Sequence, residues 1–113
     1  MTRRLDAGEH AQFTHVPPRD LVRARLVTVP VLTPGIAGMT LGHWILVRRG
    51  HEHDRGLIAH ELVHVRQWRE LGAVRFLVRY LGAYAGGRWR GLGHQAAYEA
   101  IPLEAEARAL TGR

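Results

Sequence analysis

The chain has 113 residues, of which 46% are hydrophobic and 23% charged, proportions that place it among ordinary globular domains and argue against wholesale disorder. Cysteine, serine, lysine and asparagine are absent, which excludes disulfides, cysteine and serine nucleophiles, lysine Schiff bases and a Walker-type phosphate loop. The net charge of +6 comes from 16 arginines against ten acids, and the arginines are dispersed rather than blocked.

In chain order, the stretch Met1–Asp20 is polar and irregular, closed by Pro17-Pro18 as a turn or extended corner. Leu26 to Leu32 is β-branched and predicts a strand, with Pro30 placing it at an edge or a bulge. Thr33-Pro34-Gly35 and Ala37-Gly38 carry turn chemistry, and His43–Arg48 predicts a second strand that ends at Gly50. From Leu57 the apolar period becomes helical, predicting a helix over 56–71 with Asp54 as its N-cap and Gly72 as its stop. A second helix is expected from Ala73 to about Ala85, with Val74, Leu77, Val78 and Leu81 turned to the core and Gly86-Gly87 as the break. After a loop over 88–93, the tail is helix-prone, and Pro102 is placed to open a last helix, Leu103 to Leu110. The expected architecture is a single α+β domain over 1–113: a polar segment at 1–20, two or three strands within 21–50, and a three-helix part over 54–113. No apolar run of about 20 residues is present and none follows the charged start, so a cytoplasmic chain without a spanning helix or secretory leader is expected.

What remains for chemistry is eight histidines, ten carboxylates and three tyrosines, an inventory that favours metal or acid–base work. It is concentrated at His60-Glu61-Leu62-Val63-His64, within the first long predicted helix. Residues four apart share a helical face, so two imidazoles can meet one ion while the intervening glutamate reaches a water beside it. The neighbours Ile58, Ala59, Leu62, Val63 and Val65 are apolar, and a buried imidazole pair without a shared partner would be costly. A catalytic zinc site needs a third protein ligand. Glu104, at the start of the last helix, is the leading candidate from spacing, with Glu99 competing and His94 weaker.

The H-E-x-x-H pattern followed by the Glu104-Ala105-Glu106-Ala107 run resembles the gluzincin zinc peptidases, most closely their small minigluzincin-type domains and the soluble core of the membrane CAAX-processing and heat-shock peptidases, whose membrane spans this sequence lacks. The similarity runs from about Thr40 to Leu110. It implies a zincin-like fold, a Zn2+ cofactor held by His60, His64 and Glu104, and Glu61 as the catalytic base. It also implies that the strand near His43–Arg48 is an edge able to hold an extended peptide substrate by backbone pairing. The chain departs from the family at Arg108, where an aspartate often supports a ligand histidine. The expected function is therefore a zinc-dependent metallopeptidase that cleaves peptide bonds by metal-activated water. Tyr80, Tyr84, Tyr98 and His94 are candidates for the oxyanion donor.

Two other signals carry less. His51-Glu52-His53-Asp54 is dense in ligand types but is equally explained as a capped loop before a helix. Arginines and aromatics interleave from Arg66 to Arg90, as on a surface for anionic membranes or nucleic acid. Helices with a wet arginine face account for them as well. The rival to a peptidase is a catalytically silent zinc-binding or interaction module that uses this basic helical face.

Overall fold

The computed structural model describes residues 2–113, so Met1 lies outside the described residues. The chain runs as β1 (Thr2–Arg3), α1 (Ala7–Gln12), α2 (Pro18–Arg23), β2 (Arg25–Val29), β3 (Gly38–Leu41), β4 (Trp44–Arg48), α3 (Arg55–Leu71), α4 (Ala73–Trp89), α5 (His94–Glu99) and α6 (Pro102–Thr111). The fold class is α+β, with a four-stranded mixed sheet and six helices where two or three strands and three helices were expected.

The excess begins within residues 2–20, expected to be irregular, which hold a strand, a helix and the start of a second helix. Thr2 and Arg3 pair antiparallel with Val27 and Leu26. α1 opens with a reciprocal cap: Asp6 accepts from the Glu9 amide at 2.8 Å, and Glu9 accepts from the Asp6 amide at 2.9 Å. α2 takes Pro18 as its first residue, where the missing N–H costs nothing. Its Asp20, fully buried, receives two bonds from Arg69 of α3, at 2.6 and 2.9 Å, and so pins α2 to the long helix.

The sheet order is β1-β2-β4-β3, with β4 parallel to β2 and antiparallel to β3. The strand expected at an edge is thus interior, hydrogen-bonded on both sides. β3 and the two-residue β1 are the edges, and β3 enters the ladder at Gly38, where turn chemistry was expected. Burial explains the placement: Leu26, Ile45 and Val47 alternate onto one face and are almost wholly buried, which suits central strands. β2 stops at Val29, so Pro30, which has no N–H to donate, falls outside the ladder rather than in a bulge.

α3 lies against that apolar face and supplies Ile58, Leu62, Val63 and Val65 to the same core. Asp54 caps it by accepting from the Leu57 amide at 3.1 Å, and Gly72, at φ 80°, ends it, both as expected. α4 departs from expectation twice. It continues through Gly86-Gly87 to Trp89, and Gly87 is buried against α5, where a Cβ would stand 3.1 Å from the Ala97 Cβ. Its face of Val74, Leu77, Val78 and Leu81 is turned to solvent, not to the core. Aromatic stacking on the other side decides this, with the Phe76 ring 4.3 Å from Trp68 and 5.5 Å from Tyr80. Among the described residues no helix is long and apolar enough to cross a membrane.

Candidate metal centre

α3 carries His60, Glu61 and His64 over one turn, all buried. Among the described residues they form the one histidine–carboxylate group tight enough to hold a metal ion, each residue offering a ligand atom within 4.8 Å of the others. The imidazole centroids stand 5.1 Å apart with ring planes at 72°, as the four-residue spacing predicts.

α6 packs along α3 and brings Glu104 to the pair. His60 Nε2 lies 2.9 Å from Glu104 Oε1, and His64 Nε2 lies 3.0 Å from Glu104 Oε2. Pro102 starts α6 at the register that puts Glu104 in its first turn, buried. Glu99 and His94, the competing third residues, are exposed on α5: Glu99 accepts from Gln95, and His94 bonds the Tyr84 hydroxyl. In the His51–Asp54 loop, Glu52 accepts from the Gly50 amide and Asp54 caps α3.

Two neighbours complete the cluster: Gln67, which the sequence did not single out, and Tyr80, expected as an oxyanion donor and found instead on Glu104. Gln67, one turn beyond His64, holds its amide oxygen 2.7 Å from His64 Nδ1. Its amide nitrogen is committed to the Leu103 carbonyl at 3.0 Å and to Glu106 at 2.7 Å, so the oxygen must accept and Nδ1 must carry the proton. His64 Nε2 in turn faces Glu104 Oε2 at 3.0 Å, buried and without a well-aligned hydrogen bond. The second neighbour, Tyr80 of α4, donates its hydroxyl to Glu104 Oε2. The spacing His64-x-x-Gln67 was a signal for the first, since residues three apart share a face. Nothing local announces the second in this role.

A buried imidazole nitrogen set against a carboxylate needs a positive charge between them, either a proton on the ring or a bound cation. Around a tetrahedral ion with bonds of about 2.0–2.1 Å, ligand atoms stand roughly 3.3 Å apart, within a few tenths of the nitrogen–oxygen distances here. The buried His60–Glu61–His64 group is compact enough to hold a metal ion, and Glu104 stands beside both imidazoles. Burial works to raise the Glu104 carboxyl, but His60, His64 and Tyr80 outweigh it and hold the group well below the usual carboxylate range. Burial works to lower His64, yet Glu104 and Glu61 leave it above the ordinary histidine value. Glu61 is pushed up by burial, against the pull of both imidazoles.

The cluster opens onto a cleft of about 180 Å³ lined by Glu61, His64 and Glu104, by Gly38–Leu41 of the β3 edge, and by Phe76, Leu77, Tyr80 and Leu81 of α4. Thr40 Oγ1 donates to the Glu61 carbonyl at 3.2 Å and so ties the edge strand to the motif. Residues 2–20 do not line the cleft, and His15 among them bonds the Ala59 carbonyl of α3 at 2.8 Å. Tyr98 is on the cleft wall, its phenol pushed up by burial and by the Glu104 charge and so kept protonated. Tyr84 is engaged elsewhere, with His94. No protein-family model, curated protein or solved structure matches the chain.

Proposed function

We propose that this chain is a zinc-dependent peptidase of gluzincin type, with His60, His64 and Glu104 as the ligands and Glu61 as the general base. The observation that carries the reading is the convergence of two buried imidazole nitrogens, one of them without a well-aligned hydrogen bond, on the two oxygens of one carboxylate. Bound there, zinc would supply a Lewis acid and bring the pKa of water towards about 7.

The chain's own groups supply the rest. Glu61 faces the cleft, where burial raises its carboxyl, and it would take the proton of the attacking water and pass it to a leaving amine. The β3 edge offers unpaired backbone groups to an extended peptide, and Met39, Leu41, Leu77 and Leu81 give it an apolar bed. Tyr98, on the cleft wall beside Glu104, is our candidate donor to a developing oxyanion, the Tyr80 hydroxyl being bound to Glu104 Oε2.

The test is metal content by elemental analysis together with cleavage of an unstructured protein such as casein. Wild type is expected to hold one zinc per chain. Glu61→Gln should keep the zinc and lose cleavage by about a thousandfold or more. Glu104→Ala should lose zinc. A metal-free wild type, or a Glu61→Gln variant with full activity, would overturn the proposal; zinc without cleavage in wild type would leave the silent module.

A further inference from the structure

The outward face of α4 is apolar where a surface helix is ordinarily polar. Val74, Val78, Leu81 and Trp89, exposed by 76%, 66%, 58% and 93%, recur at helical spacing on the side opposite buried Phe76 and Gly87. Arg75 and Arg79 flank that stripe, one turn apart. Between Glu70 and Glu99 the chain has no acidic residue, and none of the ion pairs among the described residues uses Arg75, Arg79, Arg88 or Arg90. The arginines therefore answer no charge within the protein, and the apolar side chains cover no core.

We infer that α4 docks the protein on an anionic lipid surface, its apolar stripe sunk among the headgroups and its arginines on the lipid phosphates. The charge pattern selects this occupant. A second copy of the chain would bring arginines against arginines, whereas a lipid surface offers negative charge beside apolar depth, and an exposed tryptophan belongs at that boundary. α4 has 17 residues, enough to lie in the interface and too few to span it. Leu77 of this helix also lines the cleft, so the docked protein holds its cleft mouth at the lipid surface. The docking itself needs neither zinc nor catalysis.

Vesicle co-sedimentation of the full chain tests it, with phosphatidylcholine alone against phosphatidylcholine carrying about 30% phosphatidylserine. Partitioning should be about tenfold or more stronger on the anionic vesicles, weaken with added salt, and shift Trp fluorescence to the blue. Val74→Glu/Val78→Glu should abolish it, and Arg75→Gln/Arg79→Gln should weaken it about tenfold, with circular dichroism unchanged in both. These four positions are exposed and lie outside the cleft. Glu61→Gln should bind vesicles as wild type does, which separates this result from the peptidase reading. Equal binding to both lipids, binding untouched by the double variants, or a dimer in sedimentation that Val74→Glu/Val78→Glu dissociates would overturn the inference.

Discussion

Arg108 stands where a supporting acid was sought, and it turns instead to the Glu99 carbonyl. The support comes from the motif helix itself, through Gln67. Because the Gln67 oxygen fixes the His64 tautomer, Gln67→Ala should weaken zinc binding about 10–100-fold, read by competition with a chelator. Affinity equal to wild type would mean that packing alone orients the ring. At this scale the sequence was most informative where chemistry is local. His60, Glu61 and His64 are one turn apart, and their proximity follows from helical geometry whatever the rest of the chain does. Glu104 needed a tertiary contact and was reached by spacing and resemblance. The Tyr80 bond to its carboxylate depends on how α4 packs, which no local pattern states.

Among the elements, β1 and α1 were missed for different reasons. A two-residue strand has no period to detect. α1, by contrast, was spelled out by Asp6-x-x-Glu9, a capping pair on so short a helix that it passed as polar loop. The periodicity of α4 defined its apolar stripe correctly but not the direction it faces, since an amphipathic pattern fixes a face without naming what covers it. β4 became interior because β3, four residues long, added outside it. The N-terminal elements are held to the loop before α3 by Arg3, which pairs with Glu9 at 2.6 and 2.9 Å and reaches the Glu52 carbonyl. The bond from Arg3, against the opposing effect of burial, holds the Glu9 carboxyl below its ordinary value of 4.5. Its contribution is therefore complete above that value and is lost as pH falls through the lower, folded one. Glu9→Gln should cost about 1–2 kcal/mol at neutral pH in urea melts, and the gap to wild type should shrink below about pH 4. A gap that stays constant on acidification would show that the pair contributes nothing.

For the molecule as a whole, two of the three helices that meet at Glu104, α3 and α6, also share the core. Zinc at a hundred times its dissociation constant should add about 2.7 kcal/mol and raise the thermal midpoint by roughly 10 °C. Calorimetry with zinc and with a chelator checks this; Glu104→Ala should erase the difference, and an equal midpoint in wild type would remove the ion from the fold's energetics. One amide spans the seam between those two helices: Gln67 grips the His64 ring with its oxygen and the Leu103 carbonyl and Glu106 with its nitrogen. Orienting a donor and latching the C-terminal segment are thus the same act. Chelation should accordingly quicken amide hydrogen exchange across residues 102–111 before it reaches the sheet.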